Sequence, residues 1–263
     1  MMRDSHPLVS FAIVGAQKCG TTALFHYLRV HPGLDLARGK EAHFFDDETR
    51  SWHRPDYSDY HRLFRNNGRL AGEATPIYLY WPRALARMRR YNPQMRLIVL
   101  VRCPVARAWS HWQMEFASGR ESQPFAWAIR GGRARVDDPA APDHHRVFSY
   151  VERGLYGKQL DRLLSLFPRD QLLTLSSAEL RLEPSQTLQR VCDFLGVDPL
   201  GDLQPHDLHV TRPFSGRHPI TQEDVAYLRS LFEEDLRRFE QLAGFPIEPE
   251  AIDTISLGRG ARR

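Results

Sequence analysis

Phe11-Ala-Ile-Val-Gly-Ala-Gln-Lys-Cys-Gly-Thr-Thr-Ala-Leu-Phe25 is the stretch whose reading decides the fold. Its apolar run, Phe11 to Val14, has the length and character of a strand buried on both faces, as in a parallel sheet. A short loop from Gly15 to Gly20 follows and carries Lys18, then come Thr21 and Thr22. Beyond them Leu24, Tyr27 and Leu28 recur at helical spacing. Strand, glycine loop and helix in that order aim loop N–H groups and the positive end of a helix dipole at one point, where a phosphate can sit. The residues leave a second reading open: a tight strand-to-helix turn that uses its glycines for geometry alone.

The nucleotide-triphosphate loop reads G-x-x-x-x-G-K followed by Ser or Thr, with lysine directly after the second glycine. Here Lys18 precedes Gly20 by two residues, and Thr21 stands where that lysine would be. The displaced lysine and the lack of a Walker-type aspartate after a strand both count against a P-loop kinase.

A chain of 263 residues at 42% hydrophobic composition can bury one sizeable core, so a single domain is expected over 1–263. The net charge is +4, and lysine occurs only at 18, 40 and 158, so the base is almost all arginine. Mild basicity suits a small anionic substrate, and no arginine block is dense enough for a nucleic-acid-binding arm. Cys19, Cys103 and Cys192 are far apart and form neither a disulfide framework nor a metal-ligand spacing. No metal is therefore expected, and a reduced, cytoplasmic compartment is. Met1 to Ser10 lacks the apolar core of a signal peptide, and no apolar segment reaches about 18 residues, so no membrane span is expected.

A second buried strand reads Arg96-Leu-Ile-Val-Leu-Val-Arg102, and Pro104 is placed to open the helix after it. Arg102 thus ends a strand, and Ser110 lies two turns into the helix; both could reach a second anion beside the first cradle. Between the two strands, Gly39-Lys-Glu-Ala-His-Phe-Phe-Asp46 is short and polar, and places Glu41, His43 and Asp46 around two aromatics. Spacing alone favours a solvated turn with Phe44 and Phe45 tucked beneath it, although loops at the carboxyl edge of an α/β sheet are also where ligands collect.

Helices are expected over Asp56 to Asn67, Trp81 to Tyr91, Tyr150 to Leu166 and Pro184 to Leu195, with a strand at Gln171 to Leu175. Gly72 to Tyr78 reads as a turn-bounded segment. Residues 117–147 read as a mobile loop with a short helix at Phe125 to Ile129, and 258–263 as a frayed tail. Thr221 and Asp224 form a capping-box variant at the start of a last helix that reaches Leu242. Alternating strands and helices predict an α/β fold of P-loop type, a central, mostly parallel sheet with helices on both faces.

Taken in order, these motifs resemble the sulfotransferases that use 3′-phosphoadenosine-5′-phosphosulfate (PAPS), nearest the branch with the heparan sulfate sulfotransferase domains and their bacterial relatives. The resemblance runs from about Phe11 to Phe245. It rests on Gly15-Ala-Gln-Lys-Cys-Gly-Thr-Thr, Glu41-Ala-His-Phe-Phe-Asp, Gly72-Glu-Ala-Thr-Pro-Ile-Tyr and Arg102-Cys-Pro-Val-Ala-Arg-Ala-Trp-Ser-His. Arg153-Gly-Leu-Tyr, Phe194-Leu-Gly196 and Ser215-Gly-Arg-His-Pro complete it.

The resemblance implies that Lys18, Cys19, Gly20, Thr21 and Thr22 hold the 5′-phosphosulfate, and that Arg102 and Ser110 hold the 3′-phosphate. Gly216 and Arg217 would close over the nucleotide, leaving 3′-phosphoadenosine-5′-phosphate (PAP) as product. It makes Glu41 the catalytic base with His43 beside it, and His43, Phe45 and Tyr78 neighbours of the acceptor, a small molecule, lipid or carbohydrate. Two positions depart from the pattern: Ala74 and Ser215 stand where the glycosaminoglycan enzymes often carry lysine. The first departure bears on the acceptor, so a heparan substrate is not implied. The competing class is a non-catalytic nucleotide or polyanion binder of the same fold; PAP binding without transfer to any acceptor would reveal it.

Overall fold

The computed structural model describes residues 7–138, 140–141, 144–201 and 219–249. Ser215, Gly216, Arg217 and the tail 258–263 lie outside the described residues. The chain divides into two compact units, Met1–Val101 with Asp161–His206, and Arg102–Leu160 with Asp207–Arg263.

Five strands form the sheet: β1 (Phe11–Gly15), β2 (Leu34–Leu36), β3 (Leu70–Ala74), β4 (Arg96–Val101) and β5 (Leu172–Ser176). The helices before β5 are α1 (Thr21–Arg29), α2 (Ser58–His61), α3 (Ala84–Tyr91), α4 (Pro104–Ala117), α5 (Phe125–Ala128), α6 (His144–Phe148) and α7 (Tyr156–Leu164). After it come α8 (Ser177–Leu182), α9 (Pro184–Leu195) and α10 (Gln222–Ala243). Among the described residues, no helix is long and apolar enough to cross a membrane.

The first unit holds the sheet, in the order β2-β3-β1-β4-β5, and every neighbouring pair is parallel. All five residues of β1 are buried, as a strand covered on both faces requires. The path β1–α1–β2 crosses the sheet in one direction and β3–α3–β4 in the other. Right-handed crossovers therefore put α1 and α3 on opposite faces. After β1 the chain turns toward one edge of the sheet, and after β4 toward the other. Open α/β sheets bind ligands at such a switch point, outside the carboxyl ends of the two strands.

Two expectations fail in this unit. The segment read as turn-bounded supplies Gly72 to Ala74 of strand β3, which begins at Leu70. Its Gly72 is there because a Cβ would lie 2.1 Å from the Phe11 ring, and its Glu73 is buried among hydroxyls. The helix expected from Asp56 to Asn67 is one turn, α2. The Asp56 carboxylate takes the Ser58 N–H at 2.8 Å, and Asn66 (φ 51°) and Gly68 (φ 78°) turn the chain out of helical geometry. Tyr60 and Phe64 are nonetheless buried on one side, as their spacing predicts.

In the second unit Trp109 and Trp112 of α4 stack at 5.0 Å, and Phe125, Tyr150, Val225, Leu228 and Phe232 complete the core. The stretch expected as a loop carries α5, a 3-10 segment at Gly131–Asp137, and α6. Buried Glu121 ties it together, accepting from Arg135 at 2.8 Å and from the Tyr150 hydroxyl at 3.1 Å. The helix expected from Tyr150 begins only at Tyr156, after a 3-10 turn at Glu152–Gly154 where Gly154 lies against the Phe232 ring. Thr221 caps α10 as its sequence predicts, accepting from the Asp224 N–H at 3.2 Å.

Candidate active site

The loop after β1 is pinned on both sides. The Ala16 N–H donates to the Leu100 carbonyl of β4 at 2.7 Å, and the Leu79 N–H to Val14 at 2.8 Å. Gly15 is required there, since a Cβ would come within 2.6 Å of Leu79. Gly20 has φ +89° and serves as the N-cap of α1 without any side-chain cap bond, and the first turn holds no acidic residue. Ser176 and Thr221 close capping boxes on α8 and α10, whereas α1, like α3, α4 and α9, has none. An uncapped nine-residue helix leaves its first N–H groups and its positive dipole end available to an anion, with Lys18 beside it.

Cys19 departs from the role the resemblance implies. Its N–H is spent on Ala16 at 3.2 Å and its thiol is buried, so neither group faces a ligand. Thr21 is buried and Thr22 half-buried.

Glu41 enters at the same edge of the sheet. Its N–H donates to the Ala74 carbonyl at 2.8 Å, at the carboxyl end of β3, which pairs with β1. Its carboxylate touches the Lys40 ammonium and lies 3.4 Å from His43 Nε2, while His43 Nδ1 lies 2.9 Å from Asp46 Oδ2. The imidazole is thus bracketed by two carboxylates, one half-exposed and one fully buried. The His43 hydrogen bond, ahead of Lys40, holds the Glu41 carboxyl down at about 2 against the opposing effect of burial. The Asp46 bond, ahead of Glu41, holds His43 up at about 9.

Among the described residues four non-glycines have left-handed backbone: Lys18 (φ 69°), Glu41 (φ 65°), His43 (φ 49°) and Asn66. Such conformations cost on the order of 1–2 kcal/mol each and persist where the surroundings impose them. Three of the four carry the proposed chemistry.

Arg102 directly follows Val101, the last residue of β4. Within its own unit its guanidinium donates to the Ala106 carbonyl, one helical turn before Ser110, and its Nε is buried without a hydrogen-bond partner among the described residues. Ser110 is itself buried.

Phe45 and Tyr78 require a correction. Both are fully buried, so they support the 41–46 loop from beneath and do not face an acceptor. The Tyr78 hydroxyl accepts the N–H groups of Phe44 at 2.9 Å and Phe45 at 3.3 Å. Sequence reasoning grouped Asp46 with Glu41 and His43 without giving it a role, and passed over Glu73. The available signal was an acidic residue among the apolar and hydroxyl-bearing neighbours of Gly72-Glu-Ala-Thr-Pro-Ile-Tyr78, where a buried charge needs partners.

The mouse heparan sulfate glucosamine 3-O-sulfotransferase 3B1 is 32% identical over 266 residues, covering 91% of this chain and 64% of its own length. The mouse enzyme 6 of that series is 32% identical over 259 residues, covering 88% and 71%. The chain thus spans about two thirds of the length of these curated relatives. A sulfotransferase crystal structure from Alicyclobacillus acidocaldarius superposes with a TM-score of 0.75 at 28% identity, covering 90% of this chain and 96% of that one. Residues 10–211 match the family described as the sulfotransferase domain, and the chain belongs to that family.

Proposed function

We propose that the chain transfers a sulfuryl group from PAPS to a hydroxyl or amine of a carbohydrate or other small acceptor, by in-line displacement. The observation that carries this reading is the Glu41–His43–Asp46 array, set at the same sheet edge as the uncapped N-terminus of α1. The donor supplies an activated sulfuryl group on a phosphate that can depart. What remains for the protein is positioning and charge stabilisation, as in phosphoryl transfer.

Lys18 and the N–H groups of Gly20, Thr21 and Thr22 are assigned to the 5′-phosphosulfate, where they stabilise negative charge gathering on the leaving oxygen. Arg102 and Ser110 are assigned to the 3′-phosphate, with Gly216 and Arg217 carried over from the resemblance. Glu41 takes the acceptor's proton. A carboxylate held near 2 is ionised at every working pH. A polyanion bound nearby raises that value by like-charge repulsion and makes Glu41 a stronger base. His43, held between Glu41 and Asp46, fixes the direction in which Glu41 presents its oxygens.

The names of the relatives make a sugar the acceptor class to try first, while Ala74 in place of a lysine argues against assuming heparan sulfate itself. Incubation with PAPS and a panel of acceptors, read by mass spectrometry for one added sulfuryl group, tests the proposal. Transfer to at least one acceptor is expected. Tight PAP binding with no transfer to any would favour a nucleotide binder instead.

A further inference from the structure

Glu73 is fully buried in β3, one residue before Ala74, whose carbonyl holds the Glu41 N–H. Three hydroxyls surround its carboxyl: Tyr60 at 3.0 Å from Oε1, Thr75 at 2.6 Å from Oε2, and Tyr78. Tyr78 in turn accepts the N–H groups of Phe44 and Phe45, which lie between His43 and Asp46. A buried ionisable group of this kind is rarely kept for stability, since a neutral residue of similar shape usually serves as well or better. None of the steps assigned above uses it.

We propose that Glu73 is a positioning residue for sulfuryl transfer: through the Tyr78 hydroxyl it seats the 41–46 loop and so sets where Glu41 and His43 point. This rests on the sulfotransferase reading of the site. A tyrosine hydroxyl has two lone pairs and one proton. Two backbone N–H groups lie on the oxygen of Tyr78, and the other partners of its hydroxyl are the Glu73 carboxyl and the Thr75 hydroxyl, which is itself bonded to Glu73. An ionised Glu73 is acceptor-only and can take all three surrounding hydroxyl protons. A protonated Glu73 must donate one hydrogen itself, so one of the three hydroxyls turns round, and at Tyr78 that turn competes with the loop's N–H groups.

Burial raises the Glu73 carboxyl to about 7, against the lowering effect of its hydroxyl partners. The charged or titratable groups that face it are Asp46 from the loop, Tyr60 from α2, Tyr78 after β3 and Tyr91 from α3. Glu41 near 2 and His43 near 9 lie far to either side. Between pH 6 and 8 Glu73 is therefore the member of this trio that passes its midpoint. The donor's phosphate loses a proton near pH 6 as well, and comparing variants at each pH cancels that contribution.

The test is Glu73→Gln, assayed with PAPS and a heparan-derived oligosaccharide mixture from pH 5.5 to 8.5. The wild-type kcat should rise as pH passes through about 7. In the variant kcat should be flat and, at pH 8, lower by roughly 10- to 100-fold, with the KM for PAPS and the Kd for PAP little changed. A variant with wild-type kcat and the same rise would overturn the proposal. Should Glu73→Gln fail to fold by circular dichroism, Tyr78→Phe decides: it keeps the ring and deletes the strut, and an unchanged kcat would overturn the proposal equally. Hydrogen exchange at the Phe44 and Phe45 amides needs no acceptor. Their protection in wild type should fall below pH 7, and protection independent of pH would contradict the proposal. Absence of sulfuryl transfer by the wild type to every acceptor of the panel would sink the sulfotransferase reading while leaving that exchange result standing.

Discussion

His43 Nδ1 lies 2.9 Å from Asp46 Oδ2, and the Asp46 side chain is fully buried. The buried aspartate thus fixes the imidazole from behind, while the other ring nitrogen faces Glu41 at 3.4 Å. This one contact links a loop that reads as a solvated turn to the chemistry assigned to it.

Asp46→Asn should lower the His43 pKa from about 9 toward its ordinary value near 6.5, leaving part of the rise because Glu41 remains. Titration of the imidazole C–H signals by NMR checks this. A folded value above the unfolded one means that the contribution to stability is complete below about pH 6.5 and is lost as pH rises through about 9. The melting temperature of the wild type should therefore fall more than that of Asp46→Asn between pH 7 and 9.5. The change should be modest, because His43 is half-exposed.

Glu73 acts in a different window. Its carboxyl is raised from 4.5 to about 7, so the folded state binds a proton that the unfolded state has released. Its contribution to stability is thus complete below about pH 4.5 and declines as pH rises through 7, by an amount on the order of 3 kcal/mol. Urea unfolding at pH 5 and pH 8 should show this decline in the wild type and little of it in Glu73→Gln. Equal declines in both would remove Glu73 as its source.

Two glycines separate packing from backbone conformation. Gly72→Ala puts a Cβ 2.1 Å from the Phe11 ring and should destabilise by about 1–3 kcal/mol or more through overpacking. At Gly20 the nearest atom to a Cβ is Ser177 Oγ at 3.4 Å, so Gly20→Ala fits sterically but must hold φ near +89°. It should lose about 1–2 kcal/mol and weaken PAP binding, because the first turn of α1 shifts with it. Thermal melts and PAP titration of the two variants distinguish these cases: Gly72→Ala loses stability at least as strongly, and Gly20→Ala also loses affinity.

Much of this arrangement is legible in the residue order. The run from Phe11 to Phe25 announces strand, loop and helix because each part obeys its own period, and β4 and the Thr221 cap of α10 are equally plain. Strand β3 is not, because Gly72 and Glu73 imitate a turn: one is a glycine fitted to the Phe11 ring, the other a buried carboxyl bonded to the hydroxyls of Tyr60, Thr75 and Tyr78. The short helix at Phe125 is legible, but the 3-10 segment at Gly131–Asp137 and α6 escape notice because the contact that ties this stretch, Glu121 to Arg135 and Tyr150, spans up to 29 positions and has no local period. Glu41 and His43 are visible as residue types. The bracketing of the His43 imidazole by Glu41 and Asp46 goes with left-handed backbone at Glu41 and His43, which pattern reading does not supply.

The central claim is that Glu41 is the base for sulfuryl transfer at a site that binds nucleotide without its help. Single-turnover transfer from labelled PAPS, measured in wild type and Glu41→Gln beside the Kd for PAP, tests it most directly. The account predicts a loss of about 10²- to 10⁴-fold in rate, with PAP affinity nearly unchanged. A Glu41→Gln enzyme that transfers sulfuryl at the wild-type rate with acceptor saturating would contradict it.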